Sequence, residues 1–356
     1  MSVNRMSNNH LEIIDLNINL GGKRVVDGVS LSLKKGEVGS LLGPTGCGKT
    51  SLLRAVAGFE KPDQGCILVR EQEVSGPNEH LQPERRNIGM VFQDLALFPH
   101  LTVAGNVGFG IRGLDTDAIR KRVSQLLEMV NLETYAESYP HELSGGQQQR
   151  VALIRAIAPE PDVLLLDEPF SGQDMERREQ LARELRETLR QTGVTALLVT
   201  HDQMEAFAFS DMMGVMSQGK LLQWDTVYDL YHWPKERYVA EFVGRGAFIQ
   251  AKVLDQNRIE TGLGVITGHL STAYPKNTPV DLLIRPDDVH YDPKGEIKAH
   301  VESSAFRGAD HMYTLVIKDG FRVVCHVPSH YTFQPGEEVR INLDLQHLVV
   351  FPSVHH

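Results

Sequence analysis

Cysteine is scarce: only Cys47, Cys66 and Cys325 occur in 356 residues. Three unpatterned thiols leave no disulfide framework and fit a reducing cytosol. Long apolar runs are missing as well. Nothing approaches the roughly 18 consecutive apolar residues of a spanning helix, so none is expected. The opening MSVNRMSNNHLEIIDL lacks a basic segment followed by an apolar core, so no secretory signal is read. No strongly basic block exists and the formal net charge is −10, which disfavours nucleic acid as the partner. The fifteen histidines, among them His10, His80, His201 and His356, are scattered and form no ligand-spaced cluster.

What is present fits a globular chain: 41% hydrophobic and 23% charged residues. The length exceeds one ordinary core and predicts two domains. Residues 11–19, 25–33 and 37–42 read as strands, and 51–58 as a helix ended by Gly58. The segment 103–158 is mostly helical. In it DTDAIRKRVSQLLEMV places Ile119, Val123, Leu126, Leu127 and Val130 on one face. VLLLDEP and TALLVTHD are apolar runs of strands buried on both faces. Between them lies a charged helix with Leu181, Leu185 and Leu189 as its buried stripe, ended by Gly193. Alternating strands and helices predict an α/β fold with a largely parallel sheet. From Arg245 onward only short β-branched runs remain (LLIRP, TLVIKD, FRVVCHV, EVRINLD), separated by turn residues. They read as a small all-β barrel, with the boundary at about 240–246.

The stretch GPTGCGKTS, residues 43–51, lies between a strand and a helix. Gly43, Gly48, Lys49 and Thr50 match G-x-x-x-x-G-K-[ST]. Glycines let the backbone of Gly43, Pro44, Thr45, Gly46, Cys47 and Gly48 wrap closely, so that N–H groups point at phosphate oxygens. The following helix turns its positive end to the same anion. Lys49 is assigned to the β- and γ-phosphates, Thr50 to Mg²⁺, and Ser51 completes the loop. Cys47 reads as a small residue in a tight loop rather than a reactive thiol. VLLLDEP then supplies Asp167 at a strand end as the metal-holding acid. Glu168 beside it is placed to polarise an attacking water.

A second glycine turn, LSGGQ at 143–147, opens another helix. Ser144 reads as its N-cap, and Gly145 and Gly146 free N–H groups for a second anion site, with Gln147 next. With this order of motifs the chain resembles the ATP-binding-cassette (ABC) ATPases over residues 11 to about 240. LSGGQ is that family's signature. The resemblance implies a P-loop core with a mixed sheet and a helical subdomain, ATP and Mg²⁺ as ligands, and an ATPase that works as a homodimer. Each ATP would lie between one glycine loop and the partner's LSGGQ. It further assigns Gln93 in VFQD to sensing the γ-phosphate, to the metal and to the membrane partner. His201 in VTHD matches the switch histidine, and Asp174 in SGQD the loop crossing the dimer interface. Two departures stand out. Leu20 occupies the place where the family usually stacks an aromatic on adenine, and Gly172 and Gln173 alter the interface loop, usually SALD.

The resemblance divides the chain into a nucleotide-binding domain, 1–240, with a helical subdomain at about 94–158, and an OB-like regulatory (TOBE) domain, 245–356. Arg285 and Pro286 in LLIRPDDVHY resemble the RPE-type strand end of that module. The helical region is too short for a repair ATPase's coiled coil, there is one cassette rather than two, and no membrane helices are fused. An importer ATPase at the cytoplasmic face of the membrane is therefore expected, docked on an integral permease and indirectly on a substrate-binding protein. Ferric-ion import is the expected cargo, against sulfate, polyamine, phosphonate or sugar. A non-transport ATPase switch with a soluble partner is the rival.

Overall fold

Two long strands, β1 (Asn9–Leu20) and β2 (Lys23–Lys34), alternate buried and open positions and pair antiparallel. The computed structural model describes residues 9–77, 79–171, 175–270, 272–345 and 347–353, with backbone alone at 175–177 and at Asp319. The chain divides into two compact units, Met1–Leu230 and Tyr231–His356.

In the first unit the next elements are β3 (Val38–Leu42), α1 (Lys49–Ala57), β4 (Gln64–Val69), β5 (Gln72–Ser75) and β6 (Ile88–Val91). Helices α2 (Val103–Gly108), α3 (Thr116–Met129) and α4 (Gly145–Ile157) follow. Then come β7 (Val163–Asp167), α5 (Met175–Thr192), β8 (Thr195–Thr200), α6 (Gln203–Phe209), β9 (Met212–Ser217) and β10 (Lys220–Thr226). Six strands form one sheet in the order β10-β9-β3-β8-β7-β6, parallel except for β10. A second, antiparallel sheet has the order β2-β1-β4-β5.

The strand period of two sorts the core. On β7, Val163 and Leu165 join a cluster with Leu52, Leu53 and Val56 of α1 and with Leu11, Ile13 and Val26 of the antiparallel sheet. Leu164 and Leu166 point the other way, into a cluster with Leu126, Ile154, Leu181 and Leu185. Helix α1 is therefore packed between the sheets, and α3, α4 and α5 cover the opposite face. On α3, Val123, Leu126 and Leu127 are buried while Ile119 is partly buried. Asp115 caps α3 by accepting from Ala118 N at 2.8 Å.

The second unit contains α8 (Arg237–Val243), preceded at the division by α7 (Val227–His232), and then strands from Ala247 on. Ala240 of α8 packs with Leu283 and Phe351, so residues 231–244 group with the β part although the composition changes later, near 245. The strands form two antiparallel five-stranded sheets and one short parallel pair, His269–Leu270 with His347–Leu348, around one core that includes Ile249, Leu282, Val301 and Tyr313. This is a nearly closed, OB-like β barrel. Arg285 is 4% exposed and donates to the Ala240 and Tyr231 carbonyls at 3.2 and 2.9 Å.

Candidate functional site

Parallel strands bring their C-terminal ends to one edge, where α/β sheets hold ligands. The register aligns Leu42 with Thr200, Asp167 with Val199, and Val91 with Leu166. The residues after β3, β7, β8 and β6 therefore meet there: the glycine loop, Glu168, His201 and the turn carrying Gln93.

The loop from Gly43 to Gly48 is pressed from two sides. A Cβ on Gly48, which has φ +106°, would stand 2.2 Å from the Val25 carbonyl oxygen. One on Gly43 would stand 2.3 Å from that of Met216. Neither position admits a side chain, and the left-handed Gly48 turns the chain into α1. Pro44, Thr45 and Gly46 form the turn between, and Cys47 is buried beneath it. Lys49 is 5% exposed and folds over the loop, its Nζ donating to the Gly43 and Pro44 carbonyls at 2.7 and 3.1 Å. Val25 follows the β1–β2 turn, so Leu20, at the end of β1 and 42% exposed, precedes the segment that braces the loop.

Thr50 Oγ1 donates to Asp167 Oδ1 at 3.2 Å. Burial pushes the Asp167 carboxyl above the usual range, the Glu168 charge adds to this, and the Thr50 hydroxyl and Lys49 act against it. A hydroxyl and a poorly solvated carboxylate in contact at a helix start are hard oxygen donors, so the pair fits Mg²⁺. Gln93 is exposed, two residues past β6, on the same edge.

Glu168 sits at φ 44°, the left-handed region a non-glycine residue rarely adopts. Its N–H donates to the Val199 carbonyl at 2.9 Å, which ties this conformation to β8. Glu168 Oε2 lies 3.2 Å from His201 Nδ1. His201 is seated by neighbours that the sequence reading passed over. Asp202 accepts from Met204 N at 2.8 Å and Glu205 N at 3.2 Å, capping α6, and Asp202 N donates to Thr200 Oγ1 at 3.0 Å. Thr200 also donates to the buried Glu205, whose carboxyl burial pushes up. The legible signal was Thr-x-Asp before a helix, a cap pattern.

The second glycine turn is built as a capping box. Ser144 Oγ accepts from Gln147 N at 3.4 Å, and Gln147 Oε1 accepts from Ser144 N at 2.8 Å. Ser144 and Gly145 are exposed and Gly146 is buried. Among the described residues, no hydrogen bond or ion pair joins 143–147 to 43–51 or to Asp167, Glu168 or His201. Gly172, Gln173 and Asp174 lie outside the described residues.

Arg86 is a further residue missed in the sequence. It is 2% exposed and donates from Nη1 to the Ala55 and Val56 carbonyls at 2.8 and 2.9 Å, and from Nε to Leu81 O at 2.8 Å. A guanidinium at the negative end of α1 thus anchors the helix whose other end carries Lys49 and Thr50.

Residues 26–171 match the ABC transporter family, and residues 282–351 match the TOBE domain. The spermidine/putrescine import ATP-binding protein PotA of Acetivibrio thermocellus is 40% identical over 90% of this chain and 90% of its own length. A Fe(3+) ions import ATP-binding protein, FbpC 2 of Haemophilus influenzae, is 42% identical over 75% of this chain and 76% of its own. Among solved structures, cbiO1 of Clostridium perfringens, part of the ABC transporter complex cbiONQ, matches with TM-score 0.57 and 33% identity. That match covers 61% of this chain and 88% of the other. A dimeric, post-hydrolysis ATP-binding cassette bound to ADP and Pi, MJ0796, matches with TM-score 0.53 and 30% identity, covering 61% and 98%.

Proposed function

The chain belongs to the ABC transporter family, as an import-type ATP-binding protein with a TOBE domain, and from that premise we propose that Glu168 and His201 run its hydrolytic step. The observation that carries the reading is their 3.2 Å contact on the edge that also holds Lys49, Thr50 and Asp167. The loop 43–51 would bind the phosphates, with Lys49 leaving its loop carbonyls for the β- and γ-oxygens. Mg²⁺, held by Thr50 and Asp167 with Gln93 beside them, would neutralise charge on those oxygens. Glu168 accepts the proton of the attacking water, and His201 holds the carboxylate in line. The exposed N-terminus of α4, with Ser144, Gly145, Gly146 and Gln147, serves a second copy's nucleotide. What supports this is the dimeric cassette among the structural neighbours.

The reading extends to a homodimer at the cytoplasmic face of the membrane, docked on a permease and served by a substrate-binding protein. Among the described residues, no helix is long and apolar enough to cross a membrane. For the cargo, polyamine is the better-supported proposal: the PotA relative of Acetivibrio thermocellus aligns over 90% of this chain, the FbpC 2 relative over 75%. Ferric ion stays the second reading, on the higher identity of that relative, 42% against 40%. Deleting the gene and measuring uptake of labelled putrescine, spermidine and ferric ion tests both. Loss of polyamine uptake alone supports the first, loss of iron uptake alone the second, and loss of neither refutes both cargo readings.

A further inference from the structure

Helix α5 grips α6 at both ends. At the far end Arg186 donates to the Phe209 carbonyl and to Asp211. At the near end Arg178 Nη1 donates to Asp202 Oδ2 at 3.4 Å, and Arg178 Nε lies 3.9 Å from Glu205 Oε1. The near end closes a ring. Thr200 Oγ1 accepts from Asp202 N at 3.0 Å and donates to Glu205, and Arg178 reaches from Glu205 back to Asp202. His201 is the residue this ring spans. Its chain neighbours on both sides, Thr200 and Asp202, are held by it, while the imidazole itself meets Glu168 at 3.2 Å. Glu205 is 4% exposed, and a carboxylate so buried is costly without a facing charge. Burial pushes it up and Asp202 adds to that; the Thr200 hydroxyl, Arg178 and His201 act the other way.

We propose that Arg178 is a positioning residue for hydrolysis: through Asp202 and Glu205 it sets the His201 imidazole against Glu168. The Asp202 carboxylate shows how. One oxygen takes the N–H groups of Met204 and Glu205 and so belongs to α6, while the other takes Arg178 and so belongs to α5. The turn that carries His201 is thereby fixed from α5 as well as from β8 and α6. A side chain held within a fraction of an ångström by such supports loses rate when a support is removed, without any change in the groups that react. The effect on rate rests on the reading of Glu168 and His201 as the hydrolytic pair; the positioning does not.

Arg178→Met combined with Glu205→Gln removes both charges together and strands neither. In the full chain this pair should lower kcat about tenfold and leave KM for ATP within about twofold. In a His201→Ala background it should lower kcat by less than about twofold, because the effect passes through His201. Arg178→Lys keeps the charge without the fork, should lose less than the pair, and carries the same comparisons where the pair does not fold. Arg186→Met breaks the grip at the other end and should leave kcat within about twofold. An unchanged kcat in the pair overturns the effect on rate, as does an equal loss in the His201→Ala background or in Arg186→Met. Position is read separately, by NMR of the nucleotide-free chain carrying ¹³C-labelled histidine. The ring signal that vanishes in His201→Ala belongs to His201, and Glu168→Ala marks where that signal lies without its partner. The pair should move the signal toward that mark; a signal that stays at the parent position overturns the positioning. Parent-rate hydrolysis by His201→Ala, or a parent chain without ATPase activity, sinks the hydrolytic reading instead, and the ring signal alone then decides on Arg178.

Discussion

Replacing Glu168 by Gln isolates one chemical property. The side chain keeps its size, and its amide can still meet His201 Nδ1, now 3.2 Å from a carboxylate oxygen. The backbone at φ 44° and the N–H bond to Val199 do not involve the side chain, so the fold is untouched. Only the proton acceptor is lost. A missing general base costs roughly 10²–10⁴ in rate, which is about 3–5 kcal/mol of barrier. The Lys49, Thr50 and Asp167 contacts remain, so ATP affinity should stay within about twofold. Phosphate release at saturating MgATP measures the first quantity, and equilibrium titration with ATP the second. Sedimentation in ATP should show dimers accumulating, because nucleotide is bound and not consumed. His201→Ala removes an orienting contact and leaves the base, so it should slow turnover less than Glu168→Gln. Parent-rate hydrolysis by Glu168→Gln would refute the assignment. So would a loss of ATP binding in step with the loss of rate, because the carboxylate would then be holding nucleotide.

Ser144→Arg should abolish hydrolysis while the isolated chain still binds ATP, and mixing it with Lys49→Ala should restore part of the activity through one intact shared site; loss of binding in the monomeric variant refutes sharing. Because Ser144 also caps α4, a stability loss of about 1 kcal/mol is expected alongside. Arg86→Met strips the α1 carbonyls of a charged donor and should destabilise the first unit by about 3–5 kcal/mol. This is read from Trp224 fluorescence in urea in a Trp233→Phe background, and a change below about 1 kcal/mol contradicts the anchoring role. Burial raises the Asp288 carboxyl from the usual 3.8 to about 6. A folded value above the unfolded one gives stability that is complete below about pH 4 and lost as pH rises through 6, at most about 3 kcal/mol. The stability of the parent relative to Asp288→Asn should therefore fall between pH 4 and 7, and a flat difference excludes Asp288 as the cause.

Local chemistry was enough to single out the glycine loop as a candidate phosphate site, because a glycine where only backbone fits and a lysine at a helix start are what a bound anion would require. The same holds for Asp167, since four buried apolar residues ending in a carboxylate define a strand that opens at the sheet edge, and for Ser144, whose cap is completed three residues on by Gln147. The helical faces of α3 and α5 were legible from spacing. Contacts made by sheet register were not. Glu168 and His201 are 33 positions apart in sequence (201 − 168), and only the pairing of Asp167 with Val199 sets their side chains 3.2 Å apart. Arg86 reads as an ordinary surface arginine until β6 and α1 are packed, when it becomes the partner of carbonyls some thirty residues away. The carbonyls of Val25 and Met216 that exclude side chains from the glycine loop come from two other strands and their ends. A motif records what a site must bind; the groups that hold it in place come from elements distant in the chain, and only the packed sheet and helices choose them.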